Sequence, residues 1–301
     1  MRRLISEADR GGGPPDGQRV RDPVTIRAFA TPAEYRACVA LQEDTWGPGF
    51  SERVSPAILK VAHILGGVSS GAYDARGRLV GFVFGLTGVR DGEVVHWSDM
   101  LAVRPEVRDS GLGRRLKEYQ REEVMRGGIE KMFWTFDPLQ SRNAHLNITR
   151  LGAVVREYEQ NMYGESDSPL HQGIGTDRFI ALWWMTSERV RARLSNAVAG
   201  EGLVFDRTHV ALALDADSSG AHPRPLDPVL SLDDDEVGVT IPADIGALMS
   251  DDEALAVSWR EATRATFRHY LAAGYEVREF DRRGVVSTYF LARAGALPPP
   301  E

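Results

Sequence analysis

Residues 101–113 read LAVRPEVRDSGLG and constrain the fold more than any other part of the chain. An apolar run ends at Pro105 and a helical pattern begins at Leu112, so a short loop must connect a strand directly to a helix. Two glycines in that loop, Gly111 and Gly113, let the backbone pass close to a ligand because neither carries a Cβ atom. The segment therefore favours an α/β fold with a ligand site at the start of a helix.

The loop has the features of a pyrophosphate site. Amides at the start of a helix point outward, where the helix dipole favours an anion. Arg108 adds a positive charge beside them, and Arg114, Arg115 and Lys117 follow. Leu116 stands where a dinucleotide fingerprint has its third glycine, and the segment lacks the Gly-Lys-Ser/Thr of a P-loop. The loop therefore predicts phosphate binding without either of those nucleotide motifs.

The loop and its strand resemble the acyl-CoA site of the GNAT acyltransferase superfamily. That site has the form Arg/Gln-x-x-Gly-x-Gly/Ala after a strand of the type Leu-x-Val-x-Pro. The matching residues here are Leu101, Val103, Pro105, Arg108, Gly111 and Gly113. Residues 134–178 are similar to a GNAT-related subgroup, some members of which are associated with N-succinyl amino acid racemases and with N-succinylation of amino acids. The likeness covers residues 24–190 and, more faintly, 237–292.

The resemblance implies an acyl-CoA-dependent N-acyltransferase. Acetyl-CoA or succinyl-CoA would donate its acyl group directly, in a ternary complex, to the amine of a small molecule such as an amino acid. Two other functions stay open: a non-catalytic acyl-CoA-binding regulatory module and a protein-lysine acetyltransferase. The expected CoA-binding residues are Leu101, Ala102, Val103, Arg108, Asp109, Ser110, Gly111, Leu112, Gly113, Arg114 and Asn143.

Acylation of an amine sets demands on the catalytic residues. The ammonium must lose a proton before it attacks the thioester, so a base tuned near neutral pH helps. His96 and Asp99 are the candidate bases, and they face opposite sides of a regular strand unless a bulge re-aims one of them. The tyrosine that commonly serves as general acid in GNAT enzymes is replaced by Ile148. Nearby, Tyr158 is a candidate acid, and Asn147 can hydrogen-bond the pantetheine or the leaving sulfur.

A succinyl group and an amino acid each carry a carboxylate that needs a partner. A proline ends the strand after Asp137, which leaves Asp137 and Arg142 at the strand end, where α/β sheets commonly bind ligands. Arg142 and Arg178 are candidate carboxylate partners because a guanidinium binds a carboxylate with two parallel hydrogen bonds. Arg260 and Arg264, four residues apart, are an alternative pair.

Composition narrows the functional classes. The net charge of −7 argues against general nucleic-acid binding, and no apolar run is long enough to span a membrane. A single cysteine, Cys38, fits a reducing cytoplasm, and the seven histidines show no metal-ligand spacing. We therefore expect a cytoplasmic enzyme that acts without a metal, nucleic acid or membrane, and a homodimer is compatible with the sequence.

The hydrophobic pattern predicts an α/β (α+β) architecture, with a mixed central sheet flanked by helices. We expect one helix over 142–150 and another over 251–273. The expected organisation is a disordered segment 1–22, an acyltransferase domain 23–195, a connection 196–236 with a polar, proline-containing loop, and a small α+β unit 237–301 that packs on the core or on a partner subunit.

Overall fold

A computed structural model describes residues 24–108, 110–164, 174–195 and 209–294. The strands are β1 (Thr25–Ala28), β2 (Val68–Tyr73), β3 (Leu79–Arg90), β4 (Glu93–Val103), β5 (Lys131–Phe136), β6 (Val154–Glu159), β7 (Arg178–Trp184), β8 (Ala211–Leu214), β9 (Ala216–Asp217), β10 (Arg224–Pro225), β11 (Glu236–Pro242), β12 (Tyr275–Arg283) and β13 (Val286–Arg293). The helices are α1 (Pro32–Trp46), α2 (Pro56–Ile64), α3 (Leu112–Arg126), α4 (Ser141–Ala144), α5 (Glu188–Leu194), α6 (Ile245–Asp251) and α7 (Glu253–Ala272).

Eleven strands form one mixed sheet in the order β1-β2-β3-β4-β5-β7-β6-β12-β13-β11-β8. Neighbours run antiparallel except in the β4–β5 and β8–β11 pairs, which are parallel. The predicted α/β architecture, a mixed central sheet flanked by helices, is confirmed. The C-terminal strands join the sheet through the β6–β12 pair, so they lie in the same sheet as the loop-bearing half. The four-segment division stays a prediction, and residues 1–22 lie outside the described residues.

Helices cover both faces of the sheet. Alternate residues of β3 belong to different clusters, because Phe82 and Phe84 pack with α1 and α2 whereas Val83 packs with α3. The α3 cluster continues across the sheet and includes Trp259 and Phe267 of α7. The described chain thus has one core that reaches both of its halves and a smaller core under α1 and α2.

Local signals place the helix ends where the sequence suggests. The Thr31 hydroxyl accepts a hydrogen bond from the Glu34 amide (3.3 Å), and the Glu34 carboxylate accepts one from the Thr31 amide (3.2 Å), so Thr-x-x-Glu forms a capping box at the start of α1. Helix α3 ends at Arg126, and Gly127 is its C-cap. No helix within the described ranges is long and apolar enough to cross a membrane.

One helix prediction was wrong in detail, and one short helix was missed. The helix expected over 142–150 is the short α4, which widens into a π-helical turn over His145–Arg150. The helix expected over 251–273 is observed as α7, which begins after Asp252: the backbone of Asp252 is extended (φ −151°) and its side chain accepts from the Leu255 amide (3.0 Å) as the N-cap. The short helix α6 that precedes it was not predicted. Short strands β9 and β10 also occur within the region expected as a loop.

Candidate functional site

The site lies where β4 and β5 diverge. In the described chain these parallel strands pair only through His96 with Met132 and Trp97 with Phe133. Beyond those pairs the strands separate, and a groove of about 590 Å³ opens between them. The edge of β4 that faces the groove can bond an extended ligand that carries amide groups, as a neighbouring strand would.

Side chains from both faces of the sheet line this groove. Six of them were predicted from the sequence: Asp99, Leu101, Asp137, Asn143, Asn147 and Arg178. The groove is also lined by residues that were not predicted as its site residues, among them Trp46, Phe50, Glu52, Trp134 and Tyr163, and by Lys117, which was expected beside the phosphates.

Asp99 occupies a bulge in β4. The register with β3 pairs Phe84 with Met100 and Gly85 with Ser98, so Asp99 is the extra residue of the bulge. Asp99 is exposed at the groove. The surrounding walls nevertheless desolvate its carboxylate and raise its pKa above the ordinary value, an effect that a hydrogen bond from Trp97 opposes. A carboxylate with a raised pKa beside a groove is suited to proton transfer.

His96 does not line the groove. Its ring is fully buried, with Nε2 3.0 Å from the Gln120 amide nitrogen and Nδ1 3.3 Å from Thr87 Oγ1. Burial, and then the charge of Lys117, lowers the pKa of His96 to about 3, so the ring is neutral at physiological pH. This placement does not support the predicted role of His96 as a base, because both ring nitrogens are engaged inside the protein.

A directional chain of hydrogen bonds connects the groove to His96. Lys117 Nζ donates to Ser98 Oγ (2.7 Å), and Ser98 Oγ donates to Gln120 Oε1 (2.8 Å). The Gln120 amide nitrogen can only donate, so it donates to His96 Nε2. Thr87 Oγ1 donates to a backbone carbonyl (2.8 Å) and therefore accepts from His96 Nδ1. In this series of hydrogen bonds, the Ser98 hydroxyl donates its hydrogen to Gln120, and its oxygen accepts a hydrogen bond from Lys117.

The predicted anion loop precedes α3, as expected. Gly111 is the N-cap in the left-handed region (φ 81°) and has no side chain to bond the first-turn amides. Those amides lack partners within the helix and can bind an anion. A Cβ atom on Gly113 would meet only Leu101 Cδ2, at 3.8 Å, so the surface above it is open. Asp109 lies outside the described residues.

The polar side chains around this loop also contact the protein. Arg108 is exposed, and its Nε donates to a β4 carbonyl (3.3 Å). Arg114 binds Glu118 (2.6 Å) and a carbonyl at the end of α5 (2.8 Å), and the Ser110 hydroxyl donates to the Val107 carbonyl (2.7 Å). Arg108 is thus the predicted cation that remains beside the helix N-terminus. The remaining predicted residues, Ala102, Val103 and Leu112, pack in the two cores and can reach a ligand only through their backbone.

Tyr158 lies outside the groove. Burial, and then a hydrogen bond that its hydroxyl donates to Asp177, raises its pKa, and its ring packs against Phe267. It opens instead on a separate surface pocket between β6 and α7. Tyr163 lines the groove, and its hydroxyl lies 2.9 Å from Thr135 Oγ1. Tyr163, and not the predicted acid Tyr158, therefore lies at the groove.

Charged groups meet where β5 ends. Asp137 accepts two hydrogen bonds from Arg260 Nη2 (2.8 and 2.7 Å), and Arg178 Nη1 lies 4.0 Å from the same carboxylate. Arg264 is paired with Asp177 (2.7 Å). Arg260 and Arg264 therefore bind carboxylates of the protein itself, which does not support them as a substrate site.

Helix α4 and the π-helical turn that follows it each present one side-chain amide to the groove. Asn143 and Asn147 both line it, as expected for residues four apart on one helix face. Arg142, between Ser141 and Asn143 on the same helix, is exposed and does not line the groove. Its placement does not support the carboxylate-binding role predicted for it.

No protein-family model matches this chain, and no curated protein matches it in sequence. Several solved structures are similar to part of it. The ribosomal-protein-S18-alanine N-acetyltransferase from Escherichia coli is 18% identical (TM-score 0.43) over 61% of this chain and 100% of its own. An acetyltransferase of the GNAT family from Streptococcus pneumoniae is 18% identical (TM-score 0.43) over 53% of this chain and 98% of its own. A phosphinothricin acetyltransferase from Sinorhizobium meliloti, in complex with AcCoA, is 16% identical (TM-score 0.43) over 53% of this chain and 86% of its own.

Proposed function

We propose that this chain is a cytoplasmic GNAT-type N-acyltransferase that moves an acetyl or succinyl group from acyl-CoA to the amine of a small molecule, such as an amino acid. The observation that carries the proposal is the groove between the diverging strands β4 and β5. Helix α3 contributes Lys117 to the lining of this groove, and the same helix begins at the N-cap Gly111. An acyl-CoA needs both features, since its phosphates require an anion site and its amide-containing arm can lie along a strand edge.

The donor would lie along β4 and the start of α3. The first-turn amides after Gly111 and the guanidinium of Arg108 would bind the pyrophosphate. The pantetheine arm would bond the backbone of residues 101–103, and Asn143 of α4 and Asn147 of the π-helical turn after it would contact the arm. Because these contacts are mostly to the backbone, the proposal depends on strand geometry more than on particular side chains.

Proton transfers would flank the attack on the thioester. Asp99 would take a proton from the acceptor ammonium, and the free amine would attack the carbonyl carbon. A backbone amide of β4 would stabilise the oxyanion. The carbon–sulfur bond would then break, the attacking nitrogen would lose its second proton to solvent to give the amide, and Tyr163 would protonate the leaving thiolate and regain its own proton from solvent.

The acceptor would approach from the side of α1. Trp46 and Phe50 stack there with ring centroids 5.3 Å apart, and both line the groove. Glu52 and Asp99 add two carboxylates to the same groove. Aromatic faces and carboxylates attract a cationic amine, so this wall suits an ammonium-bearing acceptor.

The test is to incubate the full chain with acetyl-CoA or succinyl-CoA and a panel of amino acids, amines and lysine peptides, and to follow free thiol. Release that depends on a small amine supports the proposal. Release only with peptides indicates a protein-lysine acetyltransferase, and acyl-CoA binding without release indicates a regulatory module.

A matched pair of glycine variants tests the location of the donor. Gly111 and Gly92 both have φ 81° and open space where a Cβ atom would lie, but Gly92 lies in the β3–β4 turn. The substitutions Gly111→Ala and Gly92→Ala therefore impose the same backbone strain. Only Gly111→Ala should weaken CoA binding in calorimetry, and equal effects of the two would contradict the assigned loop.

A further inference from the structure

The base of the groove contains a buried cation without a carboxylate partner. Lys117 is 5% exposed, and its ammonium donates to Ser98 Oγ and lies 3.9 Å from the centroid of the Trp134 ring. Among the described residues, no carboxylate forms an ion pair with Lys117. Burial alone lowers its pKa, to about 7. An unpaired charge in a closed site is costly, so this lysine is expected to have a ligand as its partner.

A second donor without an acceptor lies beside this lysine. Trp134 Nε1 is buried, and within the part of the chain that the structure describes it has no hydrogen-bond partner. Trp183 packs edge-on against the Trp134 ring (5.8 Å), and the Trp183 indole donates to the Leu151 carbonyl (2.8 Å). Of these two packed indoles, one is therefore satisfied by the protein and the other, at the groove, is not.

The hydrogen-bond chain described above fixes the direction of Lys117. Ser98 gives its hydrogen to Gln120 and can only accept from Lys117. One N–H of the ammonium is thus used by Ser98 while the charge rests against the face of Trp134. The remaining donor capacity of Lys117, together with Trp134 Nε1, calls for a group that only accepts hydrogen bonds.

We propose that Lys117 and Trp134 form a subsite for a carboxylate at the distal end of the acyl group, so that the preferred donor is a dicarboxylic monoacyl-CoA such as succinyl-CoA. This inference rests on the proposed function. A carboxylate is an acceptor and an anion, and therefore satisfies both donors and neutralises the lysine.

The position of the subsite assigns the carboxylate to the donor. Lys117 belongs to α3, whose N-terminus would hold the phosphates, and Trp134 packs in the core on that face. The acceptor wall, with Trp46 and Phe50, packs with the cluster on the other face of the sheet. An acyl chain that enters from the α3 side would therefore direct its distal end toward Lys117.

Calorimetric titration without an acceptor tests this subsite. Wild-type protein should bind succinyl-CoA more tightly than acetyl-CoA by roughly tenfold or more. Lys117→Met should remove that preference and change acetyl-CoA affinity by less than about threefold. Trp134→Phe, which keeps the ring and removes the N–H, should reduce the preference in part. Lys60→Met is the matched control because Lys60 is exposed on α2.

A spectroscopic readout separates this role from a purely structural one. Lysine occurs at positions 60, 117 and 131, so side-chain carbon resonances of labelled lysine can be assigned by substitution. The pKa of Lys117 should rise when succinyl-CoA binds, because the carboxylate stabilises the ammonium, and should not rise with acetyl-CoA.

Several outcomes would overturn the subsite. Equal binding of both thioesters by the wild type, or equal losses for both in Lys117→Met, would exclude it. If Lys117→Met instead changes the preference between an amino acid acceptor and its amide, the carboxylate belongs to the acceptor and the donor subsite is wrong. Failure of the wild type to bind CoA or either thioester would contradict the proposed function itself, which distinguishes the two failures.

Discussion

The guanidinium of Arg260 in α7 holds both carboxylate oxygens of Asp137, at 2.8 and 2.7 Å. Asp137 directly follows β5 and lines the groove, whereas Arg260 belongs to the C-terminal part of the chain. A second bond, from the Tyr289 hydroxyl to the Pro138 carbonyl (2.8 Å), connects the same two regions. The C-terminal strands and α7 thus fix the end of the strand on which the groove depends.

Arg260→Met should destabilise the chain strongly. Without the Arg260 guanidinium, the buried Asp137 carboxylate keeps only Arg178, whose Nη1 lies 4.0 Å from it. The loss of one partner of a buried ion pair lowers the free energy of unfolding by about 3 kcal/mol or more. Arg268→Met on the same helix is the control, because Arg268 is exposed and a surface change costs about 0.5 kcal/mol or less. Urea denaturation measures both variants, and similar costs for the two would show that the Arg260–Asp137 pair does not support the groove.

The fold and the position of the glycine loop before α3 could be predicted because their signals are local. Glycine spacing and an apolar strand each act within a few residues, and they placed the end of β4 and the start of α3 correctly. The contact between Lys117 and Trp134 at the base of the groove could not be predicted in this way. Lys117 lies in the charged run RRLKEYQREE and was expected beside the phosphates, and only the packing of α3 on the sheet buries it at the groove.

The catalytic candidates show the same limit. The bulge at Asp99 follows from the register between β3 and β4, which sequence alone does not give. The choice between Tyr158 and Tyr163 depends on how the chain leaves β6, because one lies under α7 and the other at the groove. Arg142 was a plausible anion partner by position, yet its short helix turns it toward solvent.

Gly113→Ala should stabilise the chain and weaken donor binding at the same time. Alanine is favoured over glycine inside a helix by about 0.5–1 kcal/mol, and the new Cβ would meet only Leu101 Cδ2 at 3.8 Å. The methyl group would nevertheless occupy space that the pyrophosphate needs. Thermal unfolding and CoA titration report the two effects, and unchanged CoA affinity would place the phosphates elsewhere.

Asp99→Asn should lower turnover by about a hundredfold or more if Asp99 is the base. The loss should shrink as the pH rises, because the acceptor amine then deprotonates without help. The acidic limb of the wild-type kcat/KM profile should lie above the ordinary aspartate range, as the raised pKa of Asp99 requires. Glu52→Gln, at the same groove, is the comparison: it removes a carboxylate that attracts the acceptor, so it should raise KM without changing the shape of the pH profile. A profile that only scales down would remove Asp99 from this role.

Tyr163→Phe and Tyr158→Phe should have different effects. Tyr163 lines the groove, so loss of its hydroxyl should lower kcat with little change in donor affinity or stability. Tyr158→Phe should instead lower stability, because the buried Asp177 carboxylate loses a hydrogen bond. Steady-state kinetics and urea unfolding of both variants provide the comparison. A larger kinetic loss in Tyr158→Phe would return the acid role to Tyr158.

Lys117 should make the stability of the free protein depend on pH in a window above neutrality. The pKa of Lys117 is about 7 in the folded chain, whereas the ordinary value of 10.5 applies to the unfolded chain. Between pH 7 and pH 10.5 the unfolded chain therefore binds more protons than the folded chain. The free energy of unfolding therefore rises with pH across that window, by up to about 1.4 kcal/mol per pH unit from this group. Lys117→Met removes this pH-dependent contribution. The free energy of unfolding of the variant should therefore exceed that of the wild type by the largest amount at neutral pH and below. The two values should converge as the pH approaches the ordinary pKa of lysine. Urea unfolding of the wild type, Lys117→Met and the exposed control Lys60→Met across this range measures the difference. A Lys117→Met effect that is independent of pH would mean that the folded chain keeps this lysine charged at its ordinary pKa.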